Sequence, residues 1–308
     1  MTDSIPMVSV CVNTYKRPRL LGVLLDSLLA QDVDFRFEVV VVDNDKEESG
    51  RSPTETRASR FESSGSSIHY LVEPVQNIAM ARNRGVAAAR GRLVALIDDD
   101  ERAMSGWLRA LVETLNRSGV DGVFGPVLAE YPEGFPMWIQ KANLLPRQRF
   151  LDGTSISYIH GRTGNGLLKR RLLGLRSVPF DPTYGLTGGS DSDLLAFLEE
   201  CGAKFAWADD AVVYEIQAAD RADWRWYVRR SYRSGWGRMN RARSERGVFA
   251  GVLPLLASTF PSFARLLLKS LREIRNPRAL AVLIAMAFVN QVGKVGCLFD
   301  MRHEPYRN

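Results

Sequence analysis

Residues 8–44 read VSVCVNTYKRPRLLGVLLDSLLAQDVDFRFEVVVVDN. Val8–Asn13 is a short apolar run, and Arg19–Leu29 carries the spacing of an amphipathic helix behind Pro18, a residue suited to a helix start. Phe37–Asp43 is a second apolar run that closes in acid and amide. Strand, helix and strand in this order predict parallel strands joined by a crossover, hence a Rossmann-like α/β sheet flanked by helices. Working outward, residues 44–67 are rich in Ser, Glu and Arg and read as a surface loop or irregular connection. His69–Val72 reads as a strand, Met80–Ala89 as a helix, and Leu93–Ile97 as a buried strand running directly into Asp98, Asp99 and Asp100. A helix over Gly106–Leu115 and a strand over Gly122–Val127 follow. Residues 130–166, with Pro132, Pro136 and Pro146, show no period. After Gly188-Gly189 come a helix at Ser192–Glu200, two short strand-like runs within Ala203–Val213, and a basic helix over 222–243. Apolar helices are expected at Gly251–Leu256, Ser262–Ile274 and Ala279–Cys297.

The chain has 308 residues, 45% hydrophobic and 25% charged, which excludes collagen-like, wholly disordered and polytopic membrane classes. Cys11, Cys201 and Cys297 are odd in number and far apart, so neither a disulfide scaffold nor a structural zinc site is expected, and a reducing cytosolic compartment is favoured. Met1–Met7 lacks the basic start and long apolar run of a secretory leader. Between Asp220 and Arg246 lie nine arginines against three carboxylates, an excess equal to the +6 of the whole chain. This tryptophan-bearing stretch points to an anionic surface or a phosphate.

Three adjacent aspartates at a strand end repel one another unless something neutralises them. In an open α/β sheet the carboxyl ends of the strands form the ligand crevice, and hard oxygen ligands there suit Mg2+ or Mn2+ holding a diphosphate. The alternative is a solvated turn that caps the helix after it. Asn13-Thr14-Tyr15 and Asp43-Asn44 end the first two strands on the same edge, where a ring and an acceptor could meet a nucleobase or simply make turns. Asp191 and Asp193, behind the glycine pair, read as helix-start acids or as a general base.

The ordered set Val8–Arg17, Glu38–Asn44, Asn77–Gly85, Leu96–Asp100 and Gly188–Asp191 resembles family 2 glycosyltransferases of the GT-A fold across about residues 7–215. Within that family the likeness is strongest to bacterial exopolysaccharide transferases of the succinoglycan kind, and it extends to Thr163-Gly164-Asn165-Gly166 and to Gly293-Lys-Val-Gly296. The resemblance implies a GT-A catalytic domain over 1–218, with nucleotide-sugar binding at about 7–127 and the acceptor and base region at about 128–218. A basic and apolar helical region fills 219–308. It implies inverting sugar transfer from a nucleotide diphosphate donor, UDP-glucose favoured, to a lipid-linked exopolysaccharide oligosaccharide with Mg2+ or Mn2+. Thr14, Tyr15 and Asp43 match positions that hold the base; Arg17, Asn77, Arg82, Asn83 and Asp99 fall in the donor-binding set. Asp98 faces ribose or sugar, Asp100 binds metal, and Asp191 is the general base. Ser190 stands where the family's Gly-Gly-Glu-Asp motif has Glu, and Glu215 stands near the place of a late His metal ligand.

Ala279–Val289 is eleven apolar residues, short of the ~20 a spanning helix needs, with Asn290, Gln291 and Lys294 interrupting its extension. The C-terminal third therefore reads either as a helical subdomain packed on the catalytic domain or on a second subunit of a homodimer, or as a peripheral contact with an anionic membrane on the inner face of the cell membrane. A nucleic-acid-binding protein would use the Arg/Trp stretch and leave the first 215 residues unexplained, so no nucleic acid is expected. A non-catalytic sugar-nucleotide-binding relative is the second rival. A sugar-1-phosphate nucleotidyltransferase would need a glycine-rich phosphate loop after the first strand, and none is present.

Overall fold

A computed structural model describes residues 5–185, 188–247 and 276–299. The predicted strand-helix-strand start is β1 (Val8–Thr14), α1 (Pro18–Leu29) and β2 (Phe37–Asp43). There follow α2 (Arg51–Ser63), β3 (Ser67–Val72), α3 (Ile78–Ala88), β4 (Leu93–Asp98), β5 (Glu101–Ala103), α4 (Trp107–Ser118), β6 (Gly122–Phe124) and β7 (Val127–Glu130). Then come α5 (Met137–Ala142), β8 (Ser155–Ile156), β9 (Asn165–Lys169), α6 (Ser190–Glu200), β10 (Phe205–Trp207), β11 (Val213–Ile216), α7 (Trp224–Gly247) and α8 (Pro277–Leu298).

An eight-stranded mixed sheet has the order β3-β2-β1-β4-β9-β6-β10-β8, with β1 to β4 parallel and β9 antiparallel to both its neighbours. Its central strands are almost continuously apolar because both faces are covered, and their mid-strand polar residues, Ser9 and Glu38, are buried, Ser9 donating to Glu38 at 2.5 Å. Val8, Val10, Val12, Val39, Val41, Ala95 and Ile97 pack with α1 and α4 on one side, and Cys11, Val40, Val42, Val94 and Leu96 pack with α3 and α6 on the other. Register pairs Thr14 with Asp43 and Asn13 with Asp98, so the acidic and amide strand ends share one edge. A small sheet, β5-β11-β7, sets Glu215 opposite Glu101 across an antiparallel pair.

Residues 44–67 are not a loop throughout: they hold the thirteen-residue α2. Its apolar signal is weak because only Thr54 and Phe61 of it are buried, and the helix is held instead by Asp43, whose Oδ2 accepts from Gly50 N at 2.6 Å at the helix start. Strand β9 begins at the end of the stretch without visible period and pairs with its neighbours, β4 and β6.

The described residues divide into two compact units, one of 5–130 and 147–216, the other of 131–146, 217–247 and 276–299. In the second, α7 fulfils the expected basic helix, and Phe135, Ile139, Tyr227, Ala279, Val282 and Met286 form a core. The helix expected at Ala279–Cys297 is a single 22-residue α8, long and apolar enough to cross a membrane by length and composition. It runs through Asn290 and Lys294 because both are buried: Asn290 donates to Ser231 O at 2.8 Å and accepts from Arg238 at 2.6 Å. The helices expected at Gly251–Leu256 and Ser262–Ile274 lie outside the described residues.

Candidate active site

The acidic strand end is built by the turn after β1. Lys16 adopts a left-handed φ of 53°, which β-carbon crowding disfavours, and the next residue, Arg17, reaches over the end of β4. Arg17 Nη1 lies 3.0 Å from Asp99 Oδ1 and 3.1 Å from Asp100 Oδ2. Asp99 spends its other oxygen on the Thr14 hydroxyl at 2.8 Å. Thr14, Arg17, Asp99 and Asp100 are thus one network, and the charge that offsets the aspartates here is a guanidinium. Burial pushes the Asp99 carboxyl up to about 6 against the pull of Arg17, and burial together with the Asp98 charge holds Glu101 well above the usual carboxylate range.

Asp98 is the open member of the run, with half of its side chain facing solvent. Arg82 bridges it to the start of α6: Nη2 is 3.9 Å from Asp98 Oδ1 and Nη1 donates to Ser190 Oγ at 3.0 Å. Gly188 and Gly189 turn the chain there with φ of 79° and 106°, values L side chains rarely adopt. Asp191 follows in the first helical turn and makes no hydrogen bond or ion pair among the described residues, so it is not spent as a cap. Asp193, in the same turn, is held by an ion pair, with Arg176 Nη2 2.6 Å from its Oδ2.

Glu215 reaches the same neighbourhood from β11. Its charge acts on Asp98 and Glu101, the amide of Ile216 donates to Asp100 O at 2.8 Å, and Arg147 forms its salt bridge. Gly164 packs so close that a β-carbon would sit 2.8 Å from Asp98 Oδ2.

Other sequence-selected residues serve the scaffold in this structure. Asp43 is buried and accepts from Asp45 N, Gly50 N and Tyr70 OH at 3.0, 2.6 and 2.8 Å. Asn77 caps α3, accepting from Ala79 N and Met80 N and donating to Pro182 O. Asn83 clamps the backbone of Phe180 through both its amide atoms. Tyr15 has the Lys16 ammonium 5.1 Å from its ring centre.

Two arginines escaped the sequence reading. Arg147 partners Glu215, and Arg162 is exposed and feels the charges of Arg147, Asp191 and Glu215, while its guanidinium forms no hydrogen bond or ion pair among the described residues. The available signal was position: Arg162 directly precedes Thr163-Gly164-Asn165-Gly166. Asn165 is buried there, accepting from Trp107 Nε1 at 2.8 Å and donating to Pro126 O and Ala211 O.

No three His, Cys, Asp or Glu side chains converge to hold an ion among the described residues. A donor-bound Mg2+ typically needs only one or two carboxylates, its other positions being filled by phosphate oxygens and water. Asp98 and Asp100, hard oxygen donors in a patch with excess negative charge and with Glu215 beside them, fit that requirement.

Residues 9–174 match the family model described as glycosyl transferase family 2. The succinoglycan biosynthesis protein ExoM of Rhizobium meliloti (strain 1021) is 31% identical over 301 residues, 93% of this chain and 96% of that protein. The GalNAc(5)-diNAcBac-PP-undecaprenol beta-1,3-glucosyltransferase of Campylobacter jejuni is 30% identical over 130 residues, 41% of this chain and 39% of that protein. Among solved structures, the mannosyltransferase PcManGT from Pyrobaculum calidifontis, in complex with GDP-Man and Mn2+, superposes with a TM-score of 0.64 at 19% identity, covering 97% of this chain and 89% of that one.

Proposed function

The chain belongs to glycosyl transferase family 2, and from that premise we propose that it moves glucose from UDP-glucose, with inversion, to a lipid-linked oligosaccharide of a growing exopolysaccharide. The observation that carries this reading is Asp191: a carboxylate that makes no hydrogen bond or ion pair among the described residues, in the first turn of α6, joined through Ser190 and Arg82 to the acidic edge of the sheet. The names of the similar proteins, one acting in succinoglycan biosynthesis and one on an undecaprenol diphosphate, support the acceptor class.

Asp191 takes the proton of the acceptor hydroxyl as that oxygen bonds to the anomeric carbon. The bond from that carbon to the nucleoside diphosphate breaks, and its electron pair leaves with the phosphate oxygen. Attack from the opposite face makes one displacement, hence inversion. Arg82 carries positive charge beside Asp98, where it would offset the charge that grows on the departing diphosphate. Asp98 and Asp100, with Glu215, would hold Mg2+ or Mn2+, which when bound offsets charge growing on the leaving group. Thr14, Tyr15, Asp43, Asn77 and Asn83 shape the donor edge, and Asn44, bonded to Glu73 O and Val75 O, steadies the turn behind it.

The test is a screen of nucleotide sugars for Mn2+-dependent thermal stabilisation, since a ligand of the native state must raise its stability. UDP-glucose with Mn2+ should raise the melting temperature above that with Mn2+ alone. Stabilisation by no nucleotide sugar, with or without metal, would reject the reading.

We place the protein at the inner surface of the cell membrane. Arg221, Arg225 and Arg230 stack on Trp226 or Trp224 in α7, and α8 exposes Ile284, Phe288, Val292 and Val295 at helical spacing. Each basic residue near an anionic leaflet contributes ~1 kcal/mol, screened by salt. The expected result is flotation with anionic and not with neutral liposomes, lost at high ionic strength. Protein that stays in solution with both assigns the stripe to packing or to a second copy.

A further inference from the structure

We infer that Arg17 is the built-in counter-ion of the acidic strand end: it occupies Asp100 until a divalent cation displaces it, and then turns to the donor diphosphate. This rests on the metal-assisted reading above and goes beyond it, because the same side chain opposes metal binding and favours nucleotide binding.

The geometry behind it is the sharing of one nitrogen. Arg17 Nη1 is bonded at once to Asp99 Oδ1 and Asp100 Oδ2, at 3.0 and 3.1 Å. A divalent cation bonds carboxylate oxygen at ~2.1 Å, so on Asp100 it would lie a few ångströms from a guanidinium that had not moved. Two cations that close repel strongly. Arg17 is free to yield: nearly half of its side chain is exposed, and it sits at the N-cap of α1 without making a side-chain cap bond. It also has a pivot. Asp99 is 5% exposed and pinned by Thr14, so Arg17 can release Asp100 while keeping Asp99. The released guanidinium presents a planar fork of N–H donors, the geometry that pairs with phosphate oxygens. A cation on Asp100 and a guanidinium on Asp99 would then face the diphosphate together.

The test titrates Mn2+ alone into wild type and R17Q, reading free Mn2+ by electron paramagnetic resonance, and then titrates UDP at saturating Mn2+. R17Q keeps N–H donors for Asp99 and removes the charge. Mn2+ should bind R17Q about tenfold tighter than wild type, and UDP about tenfold weaker. R17K, which keeps the charge, should bind Mn2+ like wild type and UDP more weakly, for lack of the fork. Wild-type Mn2+ binding with equal or weaker binding by R17Q overturns the inference and leaves the metal reading in place. Absence of Mn2+ binding by both overturns the metal reading and the inference with it. A measurement on unaltered protein guards against misfolding of R17Q: among the arginine 15Nε resonances, the one missing from R17K should shift when diamagnetic Mg2+ is added without nucleotide. A resonance unmoved at saturating Mg2+ overturns the inference.

Discussion

Asp191→Asn is expected to lower sugar transfer by about 10²–10⁴-fold, the range for loss of a general base, while the variant binds the nucleotide sugar normally. Melting should stay within a few degrees of wild type. Asp191 makes no hydrogen bond or ion pair among the described residues, so its removal forfeits at most the ~0.3–1 kcal/mol that an acid contributes near a helix N-terminus. Asparagine keeps the shape and cannot accept the proton. Asp193→Asn is the internal comparison, and the two roles now separate in opposite directions. Asp193 is held by Arg176 at 2.6 Å, so its substitution should cost stability and leave turnover near wild type. Turnover in Asp191→Asn above about a tenth of wild type would move the base elsewhere, with Asp193 examined next.

Asp100→Ala is expected to abolish the metal dependence of donor binding. In wild type, UDP should bind on the order of a hundredfold more tightly with Mn2+ than in EDTA, since a bound cation contributes several kcal/mol against a diphosphate that otherwise meets Asp98, Asp99, Asp100 and Glu101. In Asp100→Ala the affinities with Mn2+ and with EDTA should coincide near the wild-type EDTA value. Calorimetry of UDP binding to both proteins in both buffers decides it. Equal wild-type affinity with Mn2+ and with EDTA would remove the metal from the reading, and Arg17 would then be the permanent partner of Asp100.

How much of this was legible beforehand differs by element. Strands β1, β2 and β4 are almost continuously apolar, a pattern that belongs to sheets covered on both faces, and their polar or acidic ends follow directly. Helix α2 was illegible because its surface is charged nearly all round and only Thr54 and Phe61 are buried. Helix α8 was legible nearly to its full length as Ala279–Cys297; what was not legible is that Asn290 and Lys294 are buried within it, Asn290 against Ser231 and Arg238. At the site, the Asp98–Asp100 run and the Asp191 turn are visible as motifs. That Asp193 rather than Asp191 is tied down depends on Arg176, seventeen residues away.

The sequence alone therefore determined the parallel α/β core, the edge on which Thr14, Asp43 and Asp98 align, and the set of carboxylates available for chemistry. These follow from short-range periodicity, which sets the facing of each residue on a strand or helix. Only the tertiary structure decided how those carboxylates are spent: Arg17 on Asp99 and Asp100, Arg147 on Glu215, Arg82 between Asp98 and Ser190, and backbone amides on Asp43. The guanidinium partners are long flexible side chains brought from other parts of the chain, while the amides on Asp43 come from the turn just after it. Which acid is left open to react is fixed by where such groups land, and that is a property of packing that no local pattern encodes.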